Sequence, residues 1–460
     1  MSGDENPMTA GALFPRDFQR RYPLAARGEG CWLFTDEGKK VLDAAGSAAV
    51  VSIGHGIARI GQAMAEQAGK LAFVHSSEFH TRVAEELAER LLALAPPNFQ
   101  RGGRVLLTSG GSEATETALK LCRQYFVERG EERRVKIVSR RQSYHGATLG
   151  ALSVSGNVAR REPFLPLLSE WGHIAPCYCY RCPFGLRYPQ CNLGCADELE
   201  SFLENDDAET VTGFIFEPIS GATLGAVVPP EGYAARIAEI CRRHGLLLVA
   251  DETMTGVGRT GKPFAVDHWG VEPDMIVVGK GVASGYAPLG AVLVSSRVAE
   301  TIAHGSGRFV HGFTYSGHPV AAAAGLAVLD YIHENQLFAR VPDAGLELGH
   351  ALEALRDEFP IIGDVRGLGL LWGIEFVRDR ESRSPSDPRL KVADLVFQAA
   401  YEAGVLTYPI HGCADGKAGD HLLLAPPFII SSAEIEVLVA GLRTAVEHAA
   451  RILSSSGGVQ

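Results

Sequence analysis

The chain has 460 residues, more than one compact core usually holds, so two or more domains are expected. Hydrophobic residues make up 46% and charged residues 21%, the balance of a soluble globular protein. The net charge is −11 with no Lys/Arg-rich block, which argues against a nucleic-acid partner, and no run of roughly 18 apolar residues argues for a membrane span.

The start, "MSGDENPMTAGALFPRD", is acidic and polar and does not read as a signal peptide. A cytoplasmic location is therefore expected, where thiols stay reduced. Residues 1–10 and "SSSGGVQ" at 454–460 read as loose ends. Glycine is abundant, 52 of 460, which predicts tight turns or close approaches of backbone to a ligand.

Short apolar runs then alternate with helical patterns. "RVLLT" (104–108) reads as a buried strand and "SEATETALKLCRQYF" (112–126) as the helix after it. "VKIVS" (135–139), "TGFIFEP" (212–218), "LLLVAD" (246–251), "DMIVVGK" (274–280) and "GAVLVS" (290–295) read as further strands, with helical "AARIAEICRRHG" (234–245) among them. This order predicts an α/β fold with a mainly parallel sheet covered on both faces.

After about residue 320 the pattern changes. "HPVAAAAGLAVLDYIHE" reads as a long helix, "LGLLWGIEFV" as a strand, and the last segment repeats Ile435, Leu438, Val439, Leu442 and Val446 at helical spacing. The expected division is an N-terminal segment, 1–65, joining a smaller α+β domain at 331–460, with a large domain at 66–330.

One stretch stands apart. "CYCYRCPFGLRYPQCNLGC" (177–195) holds five of the nine cysteines. Cys179, Cys182, Cys191 and Cys195 have the composition of a four-thiolate zinc site. Only eight residues separate the two pairs, tighter than most zinc ribbons, which favours free thiols in an inserted loop, and no metal is assigned. Cys31, Cys122, Cys241 and Cys413 read as scattered small residues. "HSSEFH" (75–80) lacks the H-E-x-x-H order, and His55 and His318 sit in glycine turns, so these are read as structural or pocket-lining.

Three motifs can carry chemistry. In "LLTSGGSEATETALKL" a strand ends at two glycines and Ser112 opens a helix, either a phosphate cradle or a glycine turn with a serine cap. "LLLVADETMTGVGRTG" delivers Asp251 to the carboxyl edge of a strand, where α/β sheets bind ligands. Its "GVGRTG" (256–261) matches a dinucleotide fingerprint but follows a polar loop and opens no helix, which speaks against a dehydrogenase. "PDMIVVGKG" ends an apolar strand at Lys280, where lost solvation would lower the amine's pKa. A desolvated lysine, a strand-end aspartate and a phosphate cradle are the parts that hold pyridoxal 5′-phosphate (PLP).

With these motifs and "HGFTYSGHPVAAAAGLAVL", the chain from about Trp32 to Leu442 resembles the class III aminotransferases of fold type I, the ω-amino acid, ornithine and GABA type. The resemblance implies a large domain with a seven-stranded-type sheet, PLP as cofactor, and a homodimer or tetramer. It implies that Lys280 is the Schiff-base lysine, that Asp251 pairs with the pyridine nitrogen, and that Gly111 and Ser112 form the phosphate loop. Tyr144 would stack on the ring with His145 beside it, Glu217 would lie near the ring oxygen, and Thr314 would reach the neighbouring subunit's phosphate.

Three departures matter. Thr253 replaces a Val or Ile beneath the ring, Ser220 replaces a frequent glutamine, and Leu423 replaces the arginine that often binds an α-carboxylate. Lys417 is a candidate substitute cation or a solvated loop lysine. The resulting expectation is transfer from an amine or ω-amino compound to a 2-oxo acid such as pyruvate or 2-oxoglutarate, by a ping-pong cycle. Same-fold lyases and amino-acid racemases or epimerases are the alternatives.

Overall fold

The computed structural model describes residues 12–455. The loose end expected at 1–10, and residues 456–460 of the other, lie outside them. Ser454 and Ser455 instead finish the last helix, Ser432–Ser455.

Seven strands form the central sheet, in the order Arg104–Thr108, Gly290–Val294, Met275–Val278, Leu247–Asp251, Val211–Phe216, Lys136–Arg140 and His173–Ile174. Gly290–Val294 is antiparallel to both neighbours, and the remaining pairs are parallel. Side chains alternate across a strand, so a sheet covered on both faces needs unbroken apolar runs. Leu247, Val249, Met275 and Val277 pack with Ala118, Cys122 and Phe126 of the helix Gly111–Glu128. Leu248, Ala250, Ile276 and Val278 face the other way, in one core with Ile237 and Ile240 of the helix Tyr233–Arg243. Each fully buried Val, Leu, Ile, Met or Phe among these contributes about 1.5–3 kcal/mol of transfer free energy.

Two four-stranded sheets flank this core. Ala25–Glu29, Trp32–Thr35 and Lys40–Asp43 form an antiparallel meander, extended by Val405–Leu406 in parallel with Lys40–Asp43. Ile362–Leu368, Leu371–Phe376, Asp420–Leu424 and Tyr408–His411 form the other, wholly antiparallel. At its centre Gly373 is required by a close approach, because a Cβ there would stand 2.1 Å from the carbonyl oxygen of Gly225. In the last helix Ile435, Leu438, Val439, Leu442 and Val446 are all buried.

The cysteine-rich stretch docks onto this second sheet. Tyr178 donates its hydroxyl to Glu375, Arg181 Nε donates to Glu375 Oε1 at 2.5 Å, and Arg366 Nη1 lies 2.9 Å from Glu375 Oε2. Burial pushes the Glu375 carboxyl up, but Arg366 and Arg181 outweigh it and hold it below its ordinary value. Arg181 Nη1 donates to the carbonyl of Arg383 at 2.7 Å, and Arg383 donates back to the carbonyl of Tyr180. All nine cysteines are free thiols, and burial raises Cys179 to about 11 and Cys195 to about 12. Among the described residues no three His, Cys, Asp or Glu side chains are grouped to hold a metal ion. No described helix is long and apolar enough to cross a membrane.

Candidate active site

The parallel strands end on one side of the sheet, and chemistry-bearing residues gather there. His145 follows Lys136–Arg140, Glu217 follows Val211–Phe216, Asp251 ends its strand, and Lys280 follows Met275–Val278. The helix that starts at Gly111 follows Arg104–Thr108. All of these border one cavity of about 240 Å³, together with Ser112, Tyr144, Thr253 and Arg160. This is where open α/β sheets bind ligands.

Asp251 is nearly fully buried and anchored on both oxygens. Oδ2 lies 2.7 Å from His145 Nδ1, and Oδ1 accepts the backbone N–H of Thr253 at 3.0 Å. His145 is held in turn, since its N–H donates to Ser155 Oγ at 2.8 Å and its carbonyl accepts from Thr115 Oγ1 at 2.7 Å. The adjacent Glu252 serves the fold, accepting the N–H of Val266 at 2.9 Å and the hydroxyl of Thr255. Burial raises Glu252 to about 7.

Lys280 has φ +45, a left-handed conformation uncommon outside glycine. Burial pulls its ammonium down to about 8, opposed by Asp251 and Glu217 and assisted by Arg160 and Arg259. The folded protein therefore releases this proton earlier than the unfolded chain does. Its penalty to folding is fully present below pH 8 and shrinks as pH rises toward 10.5. In cofactor-free protein, acylation of Lys280 by an amine-reactive reagent is expected to rise with a midpoint near pH 8. Peptide mapping across pH 6–11 reads this, and a midpoint near the ordinary 10.5 would contradict the desolvation.

Glu217 is raised by burial, which His145 and Arg140 oppose, and its Oε1 accepts the N–H of Gly221 at 3.0 Å. Glu217 Oε2 and His145 Nε2 are buried without a hydrogen-bond partner. Buried polar atoms of this kind ordinarily find partners, so two of them beside one cavity fit a polar ligand.

The helix start also faces the cavity. Gly110 precedes it with no side-chain cap, so Ser112 is not the N-cap that the sequence allowed. Instead Ser112 lies in the first turn and its Oγ accepts the N–H of Ala147 at 3.0 Å. A Cβ on Gly111 would stand 2.9 Å from Thr253 Cγ2, so glycine keeps this cradle open. Free N–H groups at such a terminus suit an anion.

Other expected residues fall elsewhere. Thr314 is exposed and lines a separate groove with His75, His80 and His311. Lys417 is exposed and does not border the cavity. Leu423 does not border the cavity; it is buried in a mainly apolar cluster with Ile219, Ala222 and Tyr408, which do. "GVGRTG" acts as a clamp, with Arg259 Nη1 donating to the carbonyls of Leu370 at 3.0 Å and Pro426 at 2.6 Å. His55 is paired with Asp43 at 2.9 Å.

Arg160, Met254, Ile219, Ala222 and Tyr408 also line the cavity and were not singled out from the sequence. Arg160 lies in "NVARRE", which reads as a solvated basic pair, and no sequence signal marks it.

The family model for class III aminotransferases matches residues 16–446. A Bacillus subtilis (strain 168) protein, described as the uncharacterized aminotransferase YodT, is 37% identical over 428 residues, covering 93% of this chain and 96% of its own. A thermostable (S)-enantioselective ω-transaminase from Thermomicrobium roseum superposes with a TM-score of 0.89 at 38% identity, over 95% of this chain and 96% of its own. An amine transaminase from an uncultivated Pseudomonas species, solved in its PLP-bound form, does so with a TM-score of 0.88 at 36% identity, over 96% and 98%. With its sheet order and its cavity at the strand ends, the chain belongs to the class III aminotransferases.

Proposed function

We propose that the chain moves an amino group from an amine or ω-amino compound to a 2-oxo acid, pyruvate or 2-oxoglutarate, with PLP as cofactor in a ping-pong cycle. The observation that carries this reading is the desolvated Lys280 sharing one cavity with the buried Asp251–His145 pair. The orphaned Glu217 Oε2 and His145 Nε2, and the cradle at Gly111, fit such a cofactor. When bound, PLP supplies an aldehyde that takes up the amine and a ring that accepts electrons from the donor carbon.

The chain's residues then divide the work. The helix start at Gly111 and Ser112 holds the phosphate. Asp251, fixed by His145, keeps a proton on the ring nitrogen, and Tyr144 covers a ring face. Glu217, whose carboxyl burial raises, would lie on the ring's oxygen side. Thr253 lies against Gly111 and would pack against the bound cofactor. Lys280 anchors the cofactor through Nζ and, once released, takes a proton at Nζ from the donor carbon and later returns it. In this reading the exposed Thr314 segment completes the phosphate site of a second copy, which makes the working unit a homodimer. The proposed location is the cytoplasm, supported by nine free thiols.

Substrate class enters through the pocket and the relatives. The apolar cluster at Leu423, and the descriptions of the Thermomicrobium relative as an ω-transaminase and of the Pseudomonas relative as an amine transaminase, support an amine or ω-amino donor. The test is a panel of amines with each oxo acid, following both substrates. One amino acid formed per oxo acid consumed is expected. Release of ammonia without consumption of oxo acid would replace this reading with a lyase.

A further inference from the structure

Two cationic side chains line the cavity, Lys280 and Arg160. Lys280 is taken up by the chemistry proposed above. Arg160 is different, because its guanidinium makes no hydrogen bond or ion pair with any described residue. It lies over the face of Tyr144, 4.1 Å from the ring centroid. Its backbone is fixed as well, the N–H of Arg160 donating to the side chain of Asn157 at 3.1 Å. The neighbouring buried arginines are occupied. Arg140 donates to the carbonyl of Glu217 at 2.5 Å, and Arg259 to those of Leu370 and Pro426.

A 2-oxo acid brings a carboxylate into this space, and the cavity must neutralise it. The cluster around Leu423 is apolar apart from the hydroxyl of Tyr408 and offers no cation. A guanidinium stacked on an aromatic ring keeps its N–H edge free and presents the planar fork that pairs with a carboxylate through two hydrogen bonds. The geometry points to Arg160 as the receptor for the carboxylate of the oxo-acid acceptor, an assignment that rests on the aminotransferase reading above. The amine donor then needs no carboxylate, while the acceptor must carry one to bind well.

The test uses the holoenzyme, a carboxylate-free primary amine as donor, and pyruvate and propanal as acceptors. Arg160→Leu is expected to raise the KM for pyruvate by about 10- to 100-fold, the usual worth of a charge-assisted pair, with kcat little changed. The KM for propanal should stay within about twofold, the pair having no part in its binding. Arg160→Lys should restore part of the pyruvate affinity, since it keeps the charge and loses the fork. Calorimetric binding of propanoate gives a second readout that needs no turnover, and Arg160→Leu should weaken it by the same factor. Equal shifts for pyruvate and propanal, or unchanged pyruvate KM and propanoate binding, would overturn the assignment. If the wild type transfers no amino group yet binds propanoate through Arg160, the carboxylate receptor stands and the aminotransferase reading falls.

Discussion

Lys280→Ala should fold as the wild type does and lose amino transfer by about 10³-fold or more, because in the proposed mechanism it removes both the cofactor anchor and the group that moves the proton. The fold is expected to survive for a local reason. Lys280 sits at the strand end at φ +45, a strain that alanine inherits, and its amine only costs stability where it is buried and charged. Removing it takes away a desolvated charge and leaves space that already belongs to the cavity. Thermal unfolding should therefore move by a few degrees at most, a shift of about 1 kcal/mol. A variant that unfolds early would show that the lysine holds the fold. One that still transfers amino groups at the normal rate would remove Lys280 from the chemistry.

Asp251→Asn carries the second large effect. Asparagine keeps an oxygen for the N–H of Thr253 and an amide to face His145, so the local hydrogen bonds persist. What it loses is the negative charge. A neutral amide at 251 would no longer hold a proton on the ring nitrogen of bound PLP, and would leave that ring a poorer electron acceptor. Turnover should fall by about 10²- to 10³-fold, the scale of removing one preorganised electrostatic contact. The charge has a second partner. Asp251 is the main influence opposing burial at Lys280, so in Asp251→Asn the free lysine should titrate below about 8. Steady-state rates and the pH profile of Lys280 acylation check the two halves separately. An unchanged rate would leave the aspartate with a purely structural part.

Much of the central sheet was legible because both of its faces are buried. Leu247 to Ala250 and Met275 to Val278 must be apolar at every position, and that leaves an unmistakable run. Edges gave weaker signals. His173–Ile174 is two residues long, and Ile362–Leu368 carries Asp364 and Arg366, partly exposed, so no run marks it. Asp251 and Lys280 were found because each is a charged residue ending such a run, where a strand meets the ligand side of a sheet.

Arg160, Met254 and Tyr408 had no such frame. Arg160 comes from a single helical turn that runs straight into the 3-10 helix Glu162–Leu167, and Tyr408 from a strand of the second small sheet. Their place depends on tertiary packing, which local pattern does not encode. The cysteine stretch reads differently for the same reason. Its thiols drew attention in the sequence, while its ties to the sheet run through Tyr178, Arg181 and the buried Glu375.

Lys280 is the residue proposed to carry the cofactor. Reduction of the PLP-loaded protein with sodium borohydride, then digestion and peptide mass spectrometry, tests this directly. The predicted result is a pyridoxyl group on the peptide containing Lys280, absent from the corresponding peptide of Lys280→Ala. A label on another lysine, or a loaded protein that takes no label, would contradict it.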